Sequence, residues 1–402
     1  MKLYRDTDYY TNYTGITMLY NYKALPIIYR LLQLNTMDIL PLPFRTLSFT
    51  GLWNKDSNFS FVKSIYKIFV VTSIFHFTIS EAVGFLKICN TEEDSTQGLF
   101  LSFTFAALCL KILNFLFQQE KMSDIIQNFR VQSFQPKSPD EKVIWEKYNC
   151  EAKRIFLIFL ILSQSSGLCF LTLPFMETGF ENITLPFKTY QPYNVANSQL
   201  YSITYILQLL EAFYGVLINV SLDSMVYGFI LLLCAQYEIL CLRLMKIDDN
   251  NNFLLKTYVD HHVQIKSQIC KIQHFFMRVI STLFFFSLIT LGASIFKIIE
   301  LKLLSIECFT MCLYLTCMLF QIFLYCHHGH ELTLKSKIVI NAIYNSNWTP
   351  LNSKNRKSLQ LIMQYSAKGV VISHRGQCIL NLNTFVWIIK TSYSALNILR
   401  KE

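Results

Sequence analysis

An all-α membrane protein with seven spanning helices, its N-terminus cytosolic and its C-terminus outside, is the fold class this sequence predicts. Three observations lead there. Of 402 residues, 52% are apolar and only 15% are charged, whereas a soluble chain carries about 25% charged residues. Seven stretches approach the roughly 20 mostly apolar residues that cross a hydrocarbon core. Lysine and arginine are divided unequally between alternate connections, although the whole chain carries +10. Disorder is excluded as well, because 15% of the residues are aromatic and disordered chains are poor in them.

The predicted spans run over residues 68–86, 99–117, 155–175, 203–233, 279–296, 303–325 and 379–399. The third and fifth contain no charged residue. The fourth is longer than one crossing and is expected to tilt or project beyond the bilayer. The seventh is the least apolar, diluted by Asn381, Asn383 and Lys390. Lysine and arginine crowd the N-terminal segment and the connections after spans two, four and six, whereas the alternate connections hold little beyond Lys87, Lys188, Lys297 and Lys302. Basic residues stay in the cytosol, which sets the orientation and places the sequon at Asn182 outside, as a glycosylation site. A G-protein-coupled receptor would have its N-terminus on the other side. No cleaved signal peptide is expected, because residues 1–36 contain no long apolar core.

The cytosolic connections keep helical periodicity, so the helices around 227–245 and 254–276 are expected to extend beyond the membrane and pack on one another. Residues 176–200, with Pro186, Tyr190, Pro192 and Tyr193, have the composition of a lid. Ionisable residues inside spans are costly and mark function by default; here they are His76, Glu81, Lys111, Glu211, Asp223, Glu307 and Lys390. Snorkelling is the simple account of Lys111 and interfacial solvation that of Glu81. Structural pairing or solvation at the cytosolic end fits Asp223, and Lys390 is expected to face protein or water.

The run Cys326-His327-His328-Gly329-His330-Glu331 holds two i, i+4 ligand-like pairs, but they point in different directions. It reads as a solvated helix end, with no metal bound. The 12 cysteines form no C-x-x-C pair and read as small buried side chains. No phosphate loop, nucleophile elbow or H-E-x-x-H is present. The basic residues are scattered, which excludes nucleic acid as a partner. Neither enzymatic activity nor a cofactor is expected.

A resemblance sharpens this reading. Ala342-Ile343-Tyr344-Asn345-Ser346-Asn347-Trp348, Arg356-Lys357-Ser358-Leu359, Leu382-Asn383-Thr384-Phe385 and above all Ile388-Ile389-Lys390-Thr391-Ser392-Tyr393-Ser394 resemble the C-terminal quarter of insect odorant receptors. Phe44-Arg45 with Gly51-Leu52-Trp53 is similar to the family's entry segment, especially in ants, bees and wasps. Tyr201, Tyr205, Gln208, Asp223-Ser224, Gln236, Leu240 and Arg243 fall in familiar positions of the fourth helix. The chain departs from the family in placing Ala395-Leu396 after Ser394, and Met37 looks like a usual family start.

The resemblance implies the insect odorant receptor channel fold: a multi-pass protein of the olfactory neuron's dendritic plasma membrane. It would be an odorant-gated, non-selective cation channel, a heterotetramer with the shared odorant co-receptor subunit. Residues 246–278 are too short for that co-receptor's long cytosolic insertion, so the chain is expected to be the ligand-specific subunit. Its parts would be a cytosolic segment 1–60, spans one to six with an odorant-binding outer half over 61–330, a cytosolic anchor 331–375, and a pore-lining helix 376–402. Alternatives from other classes are a G-protein-coupled-type or gustatory chemoreceptor, or a membrane transporter.

Ligand pockets are concave and mainly apolar with a few orienting polar groups. A small volatile odorant is expected among the outer halves of spans two, three, four and six, with Phe100, Phe103, Ser165, Leu168, Tyr201, Tyr205, Gln208 and Tyr314 at suitable depth. Ser394, Asn397, Ile398 and Lys401 follow helical spacing and are expected to face the cation pathway, with Ile398 as a gate closing by dewetting.

Overall fold

The structure, a computed structural model, describes residues 39–53, 61–89, 96–178, 185–187, 189–193, 198–247, 254–302, 304–374, 376 and 378–399. It is built almost wholly of helices: α1 Pro41–Phe49, α2 Phe61–Cys89, α3 Thr96–Phe117, α4 Gln119–Phe129, α5 Pro139–Thr178, α6 Ser198–Met245, α7 Leu255–Glu300, α8 Ile306–Tyr344, α9 Ser353–Ala367 and α10 Leu382–Leu399. One feature departs from the all-helical expectation: a two-stranded antiparallel ribbon, β1 Ser373–His374 and β2 Cys378–Ile379, between α9 and α10. Gly376, at φ +78°, sits in its turn.

Among the described residues six helices, α2, α3, α5, α6, α7 and α8, are long and apolar enough to cross a membrane. They contain the first five predicted spans, and α8 takes up the sixth from Ile306 onward. The seventh prediction corresponds to α10, whose 18 residues reach about 27 Å.

The helix starts follow local chemistry. Ser138 accepts from the Glu141 N–H at 3.3 Å while Glu141 Oε2 accepts from the Lys137 N–H at 2.7 Å, one residue further out than in a capping box, and Pro139 opens α5. Ser305 caps α8 by accepting from Cys308 N–H at 3.0 Å, and Asn381 caps α10 by accepting from Thr384 N–H at 2.8 Å.

α6 is the axis of the molecule. It is buried without a break from Val220 to Tyr237, because it is apolar on every face and so must be covered all round. α5, α7, α8, α1 and α2 pack around it, and α10 lies against α7 and α8.

The extensions of α5, α6 and α7 beyond their apolar stretches pack together, as the periodicity predicts. Arg243 clamps them: its guanidinium donates to both Glu141 oxygens at 3.0 and 2.8 Å and to the carbonyls of Ser133 and Gln135 at 2.7 and 2.9 Å. Arg243 also donates to His261 Nδ1 at 3.2 Å, so His261 must carry its proton on Nε2, which donates to Gln236 Oε1 at 2.9 Å. Burial and the neighbouring guanidinium press the His261 pKa down to about 3.

Candidate ligand cavity

Where α3, α6 and α8 begin and α5 ends, the four helices splay around a cavity of about 110 Å³. Small residues make the room. Gly167 of α5, and Ala212 and Gly215 of α6, line it where larger side chains would fill it. The walls are rings and alkyl groups, among them Phe105, Phe159, Phe170, Leu108 and Met318. Phe187, from the segment between α5 and α6, closes one side. It is buried at 3% exposure and meets Phe77 edge-on with centroids 5.2 Å apart.

That closing segment is pinned to the helices, in keeping with the lid expected from its composition. Gln208 accepts from Phe187 N–H at 3.3 Å and donates to the Phe187 carbonyl at 3.1 Å and to Thr189 at 2.8 Å. The Tyr190 N–H donates to the Ser80 carbonyl at 2.9 Å, and Lys87 Nζ lies 3.6 Å from the centre of the Tyr190 ring.

Polar groups are few: Ser163 and Ser166 of α5 line one wall, and two further groups stand out. In one, Tyr314 and Thr104 share a 2.6 Å hydroxyl–hydroxyl bond. In the other, Asn219 and Gln321 form the floor. Beneath them lies a buried ion pair, Lys111 Nζ to Asp223 Oδ1 at 2.6 Å. Lys111 also donates to Asn219 Oδ1 at 2.7 Å, Tyr325 donates to Asp223 Oδ1 at 2.6 Å, and Gln321 Nε2 donates to Asp223 Oδ2. The snorkelling expected of Lys111 is therefore incorrect: the ammonium turns inward because Asp223 and Asn219 meet it there, and only 6% of its side chain is exposed. Glu81 likewise is buried, at 2% exposure, with Oε2 lacking a hydrogen-bond partner among the described residues. It is not solvated at an interface.

The residues singled out from the sequence fall in several places. Tyr314 lines the cavity. Phe100 lies just behind it, with its ring 5.1 Å from that of Tyr314, and Gln208 holds the closing segment. Phe103 lines a smaller neighbouring void with Phe286. Ser165 bonds back to the Leu162 carbonyl at 2.9 Å, and Leu168 is 61% exposed on the outside of α5. Tyr201 and Tyr205 stack on each other near the start of α6, and Tyr205 donates to the Leu171 carbonyl at 3.0 Å. None of these last four lines the cavity.

Asn219 and Gln321 escape the sequence reading. The only local signal at Asn219 is its sequon, and Gln321 stands alone in an apolar run. Asn182 and Lys401 lie outside the described residues, as do the side chains of Asn397 and Ile398; Ser394 is exposed and donates to the Lys390 carbonyl at 2.9 Å. Lys390 too is exposed on this chain.

The histidine run is not a solvated helix end. It lies inside α8, and a Cβ on Gly329 would come within 2.5 Å of the Leu380 carbonyl oxygen, so close approach rather than helix termination explains this glycine. His327, His328 and Glu331, rather than the i, i+4 pairs alone, bring ligand atoms within 4.8 Å of one another.

A helical membrane protein with a ring-lined cavity inside its bundle is the class that these features define. Residues 93–393 match the 7tm Odorant receptor family model, and the chain belongs to that family. Among its relatives in Drosophila melanogaster, Odorant receptor 94a is 26% identical over 78% of this chain and 82% of its own length. Odorant receptor 46a, isoform A is 24% identical over 76% and 82%. Among solved structures, the olfactory receptor OR5 of Machilis hrabei superposes with a TM-score of 0.78 at 17% identity, covering 89% of this chain and 96% of that one. Its complex with eugenol gives 0.80 at 17%, covering 90% and 97%. The fold is that of the insect olfactory receptors, and the chain is a receptor rather than an enzyme.

Proposed function

We propose that this chain is the ligand-specific subunit of an odorant-gated cation channel, and that the odorant binds in the cavity between α3, α5, α6 and α8. The observation that carries the reading is the cavity itself: about 110 Å³, walled mainly by aromatic and aliphatic groups, with a few polar side chains, Thr104, Ser163, Ser166, Asn219, Tyr314 and Gln321, among them. This is the order of size of the ~150 Å³ apolar cavity that takes up benzene in a small protein. It therefore suits a volatile of one ring or a short chain.

The partner is the shared odorant co-receptor, in a heterotetramer in the plasma membrane of the olfactory neuron's dendrite. The basic connections face the cytosol, so the cavity lies in the outer half of the bundle and Asn182 is accessible to glycosylation. The parts along the chain follow: a cytosolic segment to residue 60, the odorant-binding helices from 61 to 330, a cytosolic anchor from 331 to 375, and the pore helix from 376. Ligand binding opens the channel to the extent that the ligand prefers the open packing. α10 and the residues after it line the cation path through Ser394, Asn397, Ile398 and Lys401, with Ile398 as the hydrophobic constriction.

Recording from cells that express the chain with the co-receptor, across a panel of volatile compounds, tests the reading. Inward cation current evoked only when both subunits are present supports it; silence of the pair toward the whole panel, despite surface expression, argues against it. In the same cells Ile398→Ala should raise resting current several-fold. Unchanged resting and evoked currents would remove Ile398 from the gate.

A further inference from the structure

The floor of the cavity carries more information than its walls. Asn219 and Gln321 both end in an amide, which has one accepting and one donating side and either of which is free to flip. Here the buried ion pair beneath removes that freedom. An ammonium only donates, so Lys111 fixes Asn219 with Oδ1 toward it at 2.7 Å. A carboxylate only accepts, so Asp223 fixes Gln321 with Nε2 toward it. What remains on the two amides is complementary: Asn219 Nδ2 is a donor and Gln321 Oε1 an acceptor, and neither has a partner among the described residues.

The four residues are buried or nearly so, and they come from α3, α6 and α8. They also have a second tie: Tyr325 holds the other side of the floor by donating to Asp223. Neither amide can turn without breaking a bond to a buried charge, which costs more than an ordinary hydrogen bond.

We infer that Asn219 and Gln321 form a hydroxyl-recognising subsite, which selects small ring or short-chain alcohols over hydrocarbons of the same shape. A hydroxyl is a small neutral group that accepts from Asn219 Nδ2 and donates to Gln321 Oε1 at once. An ether satisfies only the first, and a methyl group neither. Two added hydrogen bonds correspond to a preference of about ten- to a hundred-fold. The ligand so held is bonded to the groups that clamp Lys111 to Asp223, and thereby bears on the contact joining α3, α6 and α8.

This inference rests on the cavity being the odorant site, and the experiment keeps the two apart. Cells expressing the chain with the co-receptor are tested with matched pairs that exchange hydroxyl for methyl: phenol and toluene, benzyl alcohol and ethylbenzene, cyclohexanol and methylcyclohexane. The wild type should respond to the alcohol at a concentration at least ten-fold lower in each pair that activates. Gln321→Met and Asn219→Leu, checked by surface labelling, should bring the ratio below about three-fold in the pairs that activate. Equal potency within the wild-type pairs overturns the inference whether or not the variants reach the surface. So does a ratio that survives both substitutions, or silence toward all six compounds. Gly167→Leu, where an added Cβ would meet only Val216, at 3.6 Å, distinguishes the readings: if it leaves both members of every pair unaffected, the cavity is not the site at all.

Discussion

Lys111 and Asp223 show how a residue's surroundings decide its meaning. An isolated lysine near a predicted helix end reads as a snorkelling side chain, and nothing in the linear sequence pairs it with a carboxylate 112 positions away. The pair is buried, so removing one partner strands a charge in a low-dielectric site. Asp223→Asn should destabilise the protein by about 3–5 kcal/mol. Replacing both residues, Lys111→Met with Asp223→Leu, should restore most of that loss. Thermal melting of the detergent-solubilised receptor, followed by size-exclusion fluorescence, compares the two; equal melting of the single variant and the wild type would show the pair to be dispensable.

His261 yields a prediction of a different kind. Its ordinary pKa is near 6.5, and burial beside Arg243 lowers it to about 3. Protonation therefore favours the unfolded chain. The stability from the neutral, doubly bonded ring is complete above about pH 6.5 and is lost as the pH falls toward 3. At pH 5.5 the loss is roughly 1 kcal/mol. Melting should accordingly fall between pH 7.5 and 5.5, and His261→Gln should flatten part of that slope. The neighbouring His262, lowered to about 4 by burial and Lys266, contributes in the same direction. An identical slope in His261→Gln would assign the pH effect elsewhere.

At the scale of elements, the six long helices were legible because each is a continuous apolar run, and a run of that length has few alternatives to a buried helix. The extensions beyond the apolar stretches were legible too, because the 3.6-residue periodicity continues past the apolar stretch in α6 and reappears in α7. The ribbon at Ser373–Ile379 was not. Two residues per strand give no alternation to detect, and only Gly376 marks the turn. The interior of α8 was misread for a related reason: His327-His328-Gly329-His330 is polar enough to look like a helix end when the packing of Leu380 against Gly329 is unknown.

The cavity shares this dependence on tertiary contact. The four helices around it correspond to the second, third, fourth and sixth predicted spans, where an odorant was expected. The residues at its walls and floor depend on how the helices are rotated, which the sequence of a helix buried on all sides does not reveal. Gly167 is the residue through which α5 gives the cavity its room. A Cβ there would meet only Val216, at 3.6 Å, and leucine favours helix over glycine by a few tenths to about 1 kcal/mol. Gly167→Leu should therefore fold and reach the surface normally, yet weaken odorant sensitivity at least ten-fold. Undiminished sensitivity in concentration–response recordings would place the ligand elsewhere.

On the scale of the whole molecule, the fold places a small cavity at one end of the bundle and a charged junction at the other, joined by α6. α6 contributes Asn219 to the cavity floor, Asp223 to the ion pair beneath it, and Arg243 to the distant clamp. α8 runs parallel in function, carrying Tyr314 and Gln321 at the cavity and Gly329 where the segment before α10 crosses it. A change in packing at the cavity thus has a short physical route to the helix assigned to the cation path.

The claim on which this account turns is that a small ligand occupies the space between α3, α5, α6 and α8. An electron cryo-microscopy map of the receptor with the proposed co-receptor, prepared with and without an activating odorant, tests it most directly. Extra density bounded by Phe170, Tyr314, Asn219 and Gln321, present only in the odorant-bound map, is the predicted result. Density at another position in the chain, with those four side chains unchanged between the maps, would contradict it.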